Sequence, residues 1–309
     1  MGVDTIALPR GMQVFERGWL SSNNVLLVGD DNTALVDSGY VNHAQLTVEM
    51  VRLALADRPL HTLVNTHLHS DHCGGNAALQ AAFPKVQTLV PPGLAKAVRE
   101  WDEVALTYQP TGQACPRYRL DSVVQPGNSI LLGAHEWQVH GAPGHDAHSV
   151  IFFEPRSRTL ISADALWENG FGVVFQELEG ERAFDEVEAT LGLIEELDPA
   201  VVVPGHGALF TDIAPALARA RSKLGAYRDN PAKHAAHAAK VLLKFKLLDV
   251  QELPLFKLVA WAEETPYFQL VHDRWFASQK FQQWISQLLD GLVRVNAAQK
   301  DADWVRNSG

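Results

Sequence analysis

The chain has 309 residues, 47% hydrophobic and 20% charged. That composition supplies a sizeable core and excludes a disordered chain, and no run approaches the ~18 uninterrupted apolar residues of a membrane span. Two cysteines, Cys73 and Cys115, exclude a disulfide framework, and a net charge of −10 argues against a nucleic-acid binder.

The first residues show no basic segment followed by an apolar one, so no signal peptide is expected and the cytoplasm is the expected location. The charge is uneven. From Asp212 onward there are 14 basic and 10 acidic residues, whereas the first 211 residues hold 12 basic and 26 acidic ones. An acidic body with a mildly basic tail points to two units with different jobs.

In chain order, β-rich runs bounded by Gly, Asp, Asn and Pro predict strands over Asn24–Gly29 and Thr33–Asp37, then a helix over Asn42–Ala56. A strand over Thr62–Asn65, a helix over Gly75–Ala82, a strand over Val86–Val90 and a helix over Gly93–Tyr108 follow. Strands over Ser129–Leu132, Trp137–His140, Ser149–Phe153 and Thr159–Ser162 precede a helix over Phe184–Leu197. In that helix Val187, Leu191, Ile194 and Leu197 share one face. A last strand covers Val201–Val203. Runs such as VIFF and VVV are apolar throughout, as in strands covered on both faces. The class is therefore α/β.

After His206 the pattern becomes mainly helical, over Ile213–Tyr227, Lys233–Leu248, Leu255–Ala262 and Gln279–Val295, punctuated by Pro231, Pro254 and Pro266. A boundary near residue 212 divides the chain into 1–212 and a helical C-terminal region, 213–309. That region is too rich in aromatics for a solvent-exposed tail, so most of them are expected in its core or in its seat on the first unit. A dimer surface is another use for them.

The chemistry concentrates in Asn65-Thr66-His67-Leu68-His69-Ser70-Asp71-His72-Cys73-Gly74-Gly75. Three histidines and a carboxylate fall between a predicted strand and a predicted helix. Alternate residues at a strand end point the same way, so His67 and His69 can reach one metal, and Asp71 and His72 face a neighbouring one. Imidazole and carboxylate are ligands that Zn²⁺, Fe²⁺ and Mn²⁺ accept. Further along, Pro143-Gly144-His145, Ser162-Ala163-Asp164 and Pro204-Gly205-His206-Gly207 each follow or end a strand with a candidate ligand. Near the start, Val36-Asp37-Ser38-Gly39 ends a strand with a carboxylate.

The ordered set HxHxDH, PGH, Asp at a strand end and PGHG resembles the metallo-β-lactamase superfamily over roughly residues 12–210. The resemblance implies a metallo-β-lactamase-like αβ/βα sandwich with two metals at one edge. It assigns His67, His69 and His145 to one metal and Asp71, His72 and His206 to the second, with Asp164 bridging. Asp37 would support the ligand loop from behind, since metal-bound histidines need their other N–H anchored. Zinc is the expected metal; iron and manganese accept the same set. Asp71 would also orient the attacking hydroxide, which makes it the expected catalytic residue. Small departures are Ala163 before Asp164, Ala142 before PGH, and Cys73, read as a small buried residue.

The expected function is hydrolysis of an ester, thioester or lactone, in the branch that resembles glyoxalase II and lactonases, on a small-molecule substrate, with no membrane partner and with nucleic acid disfavoured but left open as one. A nuclease-like hydrolase using Lys233, Lys240, Lys244 and Lys246 is the first alternative. An iron-dependent redox enzyme such as a persulfide dioxygenase is the second. A true β-lactamase is disfavoured, because those classes usually carry Cys or Ser where this chain has Asp164. Trp167, Phe171 and Phe175 are candidate walls of the substrate pocket. His61, His140 and His148 flank the motifs as candidate supporting donors. His135, His234, His237 and His272 are read as structural, and Asp146 as a turn residue.

Overall fold

The computed structural model describes residues 8–56 and 58–308. One sheet holds β1 (Met12–Phe15), β2 (Asn24–Val28), β3 (Thr33–Val36), β4 (Thr62–Val64), β5 (Gln87–Val90) and β6 (Ser122–Val123), in that order. β1 to β3 pair antiparallel, and β3 to β6 pair parallel. The second sheet has the order β11-β10-β9-β8-β7, built from β7 (Ser129–Leu132), β8 (His135–Gly141), β9 (Val150–Glu154), β10 (Thr159–Ala163) and β11 (Val201–Pro204). Its pairs are antiparallel except for β10 and β11.

Side-chain alternation sorts the strand residues into two layers. Val25, Leu27 and Val36 meet Val139, Phe152 and Val203 of the opposite sheet. Leu26 and Leu35 point the other way and pack on Val48 and Val51 of α1 (Ala44–Leu55). The short α2 (Ser70–Cys73) carries part of the histidine cluster, and α3 (Asn76–Ala82) adds Leu79 to the outer layer.

The helix expected over Gly93–Tyr108 is broken. A 3₁₀ turn over Pro92–Leu94 leads into α4 (Ala95–Glu100), which ends at Trp101 in the left-handed region at φ 60°. Asp102 Oδ1 then accepts from the amides of Val104 and Ala105, both at 3.1 Å, and competes with helical bonding. α5 is only Tyr108–Thr111.

Between β10 and β11 come α6 (Phe175–Glu179) and α7 (Ala183–Leu197). Val187, Leu191 and Ile194 of α7 cover Ile151, Phe153 and Leu160 on the outer face of that sheet. The result is the αβ/βα sandwich with covered sheets.

The C-terminal region holds α8 (Ile213–Asp229), α9 (Pro231–Val250), α10 (Leu255–Glu264), α11 (Pro266–Val271) and α12 (Phe281–Arg294). Asn230 Oδ1 accepts from the Lys233 amide at 3.2 Å and Pro231 opens α9, so a side-chain cap and a proline set that start. A small sheet, β12 (Glu252–Pro254), β13 (Ala298–Lys300) and β14 (Trp304–Asn307) in the order β12-β14-β13, goes beyond the helical expectation, as does α11. Leu243, Leu247, Phe268, Trp284 and Ile285 form the core here, and Val173 and Leu178 from the segment after β10 join it. No helix among the described residues is long and apolar enough to cross a membrane.

Candidate metal centre

The histidine cluster sits where β4 ends and α2 begins, and the other motifs arrive from the ends of β3, β8, β10 and β11. The structure brings His67, His69, Asp71, His72, His145, Asp164 and His206 together. Three groups of potential ligand atoms lie within 4.8 Å of one another: His67, His69 and His145; His67, His72 and Asp164; Asp71, His72 and His206. Asp164 stands between the histidines, with Oδ1 3.4 Å from His72 Nε2 and Oδ2 3.4 Å from His145 Nε2. His206 Nε2 is 3.0 Å from Asp71 Oδ2.

The outward nitrogens are anchored. Asp37 Oδ2 accepts from His72 Nδ1 at 2.8 Å and from Thr66 Oγ1 at 2.7 Å, and Thr66 Oγ1 in turn accepts from His67 Nδ1 at 3.1 Å. His145 Nδ1 donates to the Val173 carbonyl at 2.5 Å. With Nδ1 protonated and bonded, each of these rings turns an Nε2 lone pair inward. Those three Nε2 atoms, and Nδ1 of His206, are buried without a hydrogen-bond partner in the protein. Buried polar atoms left bare are costly. Three bare Nε2 atoms in one place, beside two carboxylates and the His206 Nε2 that faces them, fit a pair of divalent cations.

Electrostatics agree. Burial favours neutral His72, but the carboxylates of Asp37, Asp164 and Asp71 outweigh it and raise its pKa well above the usual imidazole value. Burial and the neighbouring imidazoles push His67 well below that value, and His145 down to about 4. Burial alone would raise Asp164, but His206 and His72 hold it well below the carboxylate range. One pocket thus holds an ionised Asp164 beside two imidazoles, His67 and His145, that stay unprotonated.

Two glycines make room. A Cβ on Gly205 would collide with Asp164 Oδ1, and one on Gly172 with the His145 ring. Only glycine lets the backbone pass so close to both groups. Asn23 braces the His206 loop: its Nδ2 donates to the carbonyls of Pro204 at 3.0 Å and Gly207 at 2.7 Å. Neither Asn23 nor Trp19 stands out in the sequence. Trp19 stacks on His206 with ring centroids 5.4 Å apart and meets Trp167 edge-on at 5.5 Å, while remaining 57% exposed at the mouth of the site.

A cavity of about 580 Å³ opens from the centre. Trp167 and Phe175 line it, and Trp167 Nε1 donates to Asp164 Oδ1 at 3.2 Å. Phe171, expected beside them, is instead a core residue, 1% exposed and packed with Tyr227. Its ring joins Val174, Phe184, Leu224 and Tyr227 in the cluster over the outer face of the second sheet.

His61 bonds Thr33, His140 bonds Gln138, and the His148 ring lies against Gly93, so none of the three reaches the centre. Nε2 of His234 accepts from the Val174 amide at 3.3 Å, a structural role. His237 lines the cavity, contrary to the structural role expected of it. Asp146 makes a turn by accepting from the His148 amide at 2.7 Å, and its other oxygen lies 3.9 Å from His69 Nε2. Cys73 is fully buried, with Sγ 3.8 Å from that of Cys115.

Comparison with known proteins bears on this geometry. A hydroxyacylglutathione hydrolase of Synechococcus sp. (strain JA-3-3Ab) is 26% identical over 168 residues, 53% of this chain and 57% of that protein. The chain thus matches a little over half the length of that relative. One of the same name from Anaeromyxobacter dehalogenans (strain 2CP-C) is 30% identical over 232 residues, 73% of this chain and 78% of the relative. Among solved structures, a metallo-beta-lactamase family protein from Thermus thermophilus superimposes with a TM-score of 0.57 at 18% identity, covering 97% of this chain and all of that one. The family model for the metallo-beta-lactamase superfamily matches residues 17–206, every candidate ligand included, and the chain belongs to that superfamily.

Proposed function

We propose that the protein is a metal-dependent hydrolase of ester, thioester or lactone bonds, with residues 1–212 as its catalytic unit. The observation that carries this reading is the set of three buried, unpartnered imidazole nitrogens, of His67, His72 and His145, gathered with His206 Nε2 around two carboxylates. His67, His69 and His145 would hold one ion, and Asp71, His72 and His206 the other, with Asp164 between them. Two divalent ions there, zinc by preference, would supply a water acidic enough to attack at neutral pH and a Lewis acid for the carbonyl.

The chain's own residues do the rest. Asp71 lines the cavity, as Asp164 does, and beside His206 it would orient the attacking water and take its proton. Water adds across the acyl bond and yields a carboxylic acid with a thiol or an alcohol. Asp37 keeps His72 and, through Thr66, His67 in the productive orientation. Trp19, Trp167 and Phe175 wall the reacting end. The relatives' name, hydroxyacylglutathione hydrolase, supports a thioester among the substrates. The two free thiols fit a reducing compartment, the cytoplasm.

The test is elemental analysis of protein purified without added metal, beside a His69→Ala variant, followed by thioester and lactone panels. About two zinc ions per chain, reduced in the variant together with turnover, is the expected result. No metal in either protein would overturn the reading, and predominant iron would move it to oxygen-consuming chemistry.

A further inference from the structure

The cavity does not stop at the metal centre. It runs under α9, whose His237, Lys240, Val241, Lys244, Phe245 and Leu248 all line it. Their spacing puts them on one stripe of that helix. From His237 to Leu248 the stripe is about 16 Å long at the helical rise. Leu292 and Val295 at the end of α12 line the far part. Phe245 is fixed there by Tyr40, edge-on at 5.0 Å, so the C-terminal region meets the sandwich beside the trough.

The cations along it differ. Lys244 Nζ donates to Ala297, Asn307 and Ser308 and is tied to the chain end. Lys223 donates to the Phe171 carbonyl at 2.9 Å. Lys246, on another face, pairs with Asp249 at 3.1 Å. Lys240, close to Gly291, has no ion-pair or hydrogen-bond partner among the described residues. A cation without a counter-charge beside an apolar trough is a place for an anion.

We infer that the substrate is an amphipathic acyl compound, with its reacting carbonyl at the metal centre, an extended apolar arm along Val241, Phe245, Leu248 and Leu292, and an anionic group answered by Lys240. This rests on the hydrolase reading. In it, α9 acts as the gauge for the length of the arm, and Lys240 selects for charge. A short polar acyl compound leaves the trough wet and Lys240 unpaired, so it is the poorer ligand.

The test uses the full chain loaded with zinc and isothermal titration calorimetry with decyl phosphate, decanol and inorganic phosphate. Decyl phosphate is expected to bind at least about tenfold more tightly than inorganic phosphate, because only it fills the trough. Lys240→Gln should weaken decyl phosphate about tenfold and leave decanol unchanged, with Lys240→Arg restoring the affinity. Leu248→Asn should weaken decyl phosphate and decanol alike. Decyl phosphate no tighter than phosphate would overturn the apolar trough. Indifference to Lys240→Gln would overturn the anion site and place the head group on the metals. Turnover of S-decanoyl and S-acetyl thioesters by the same proteins separates the two readings. No turnover with the binding pattern intact removes the hydrolase reading alone, whereas equal turnover of both, untouched by Leu248→Asn, removes the trough.

Discussion

Asp37 Oδ2 lies 2.8 Å from His72 Nδ1, and the same oxygen accepts from Thr66 Oγ1, so one carboxylate at the end of β3 sets two candidate ligands, His72 on α2 and, through Thr66, His67 just after β4. Asp37 itself sits at φ 58°, in the left-handed region, which turns its side chain back across the strand ends. An Asp37→Asn substitution keeps the shape and removes the charge that holds His72. Loss of such a support typically costs about 10–100-fold in metal affinity or activity. Metal titration and kcat/KM of the variant are expected to fall together, with the fold intact by circular dichroism.

Gly205 offers a steric test at the opposite side of the centre. The added methyl of Gly205→Ala has Asp164 Oδ1 in its way, with the His72 ring 3.0 Å off on another side. Either Asp164 leaves its place between the histidines or the backbone after β11 shifts. Overpacking of this kind costs about 1–3 kcal/mol. Thermal melting should show that loss, and metal content should drop with it. By contrast, Gly192→Ala, where nothing lies within 4 Å of the new carbon, should raise the melting point slightly.

Lys223 provides the pH dependence. Burial lowers its pKa from the ordinary 10.5 to about 8, although its ammonium faces the rings of Trp167, Phe171 and Tyr227 at 5.0 to 5.8 Å. Between these two values the unfolded chain binds more protons than the folded one at this position. The contribution of Lys223 to stability therefore rises with pH from about 8 to 10.5 and is at its least favourable below 8. Urea denaturation across that range should show a steeper rise for the native protein than for Lys223→Met. Equal slopes would mean that the ammonium keeps its water.

The cysteines make a chemical prediction. Cys73 is fully buried and Cys115 nearly so, and burial followed by the neighbouring Cys115 thiol pushes the Cys73 thiol well above its usual pKa. A buried protonated thiol is a poor nucleophile. Neither should react with a bulky aromatic disulfide in the folded protein, and both should react in guanidinium. Fast labelling of the native chain would show that the segment over α5 opens readily.

The candidate ligands were legible because each stands in a short local signal: a strand end, a Pro-Gly or Gly-Gly turn, and a histidine or an aspartate at a set offset. β-rich runs and helix periodicity gave the α/β class for the same reason, since both are read within one element, whereas the sandwich itself came from the family resemblance. The broken helix at Trp101 turned on the side chain of Asp102 capturing two amides, a competition that periodicity does not register. The strands β12, β13 and β14 are three or four residues each, and β12 pairs with β14 across an intervening helical stretch, so no long local run announced them. Trp19, Asn23 and the cavity face of α9 acquire their places only when distant segments meet. Phe171 misled because an aromatic beside a ligand looks the same in sequence whether it turns to the cavity or to the core.

Removal of metal tests the centre as a folding element. Stripping the ions with a chelator leaves three carboxylates, Asp37, Asp71 and Asp164, around His72, and leaves the inward nitrogens of His67 and His145 with no partner. A cation that binds only the folded chain stabilises it by about 4 kcal/mol per site when its free concentration is a thousand times its dissociation constant. The apo protein is therefore expected to melt several degrees lower, and zinc to restore the loss. Because imidazole ligands must be unprotonated to bind, the shift caused by zinc should grow as pH is raised from 5.5 to 8. The His69→Ala variant should show a smaller shift at every pH, having lost one donor of the first group. Calorimetric melts with and without zinc measure all three. An apo protein as stable as the loaded one would mean that the bare nitrogens find water instead, and the case for a built metal centre would fail.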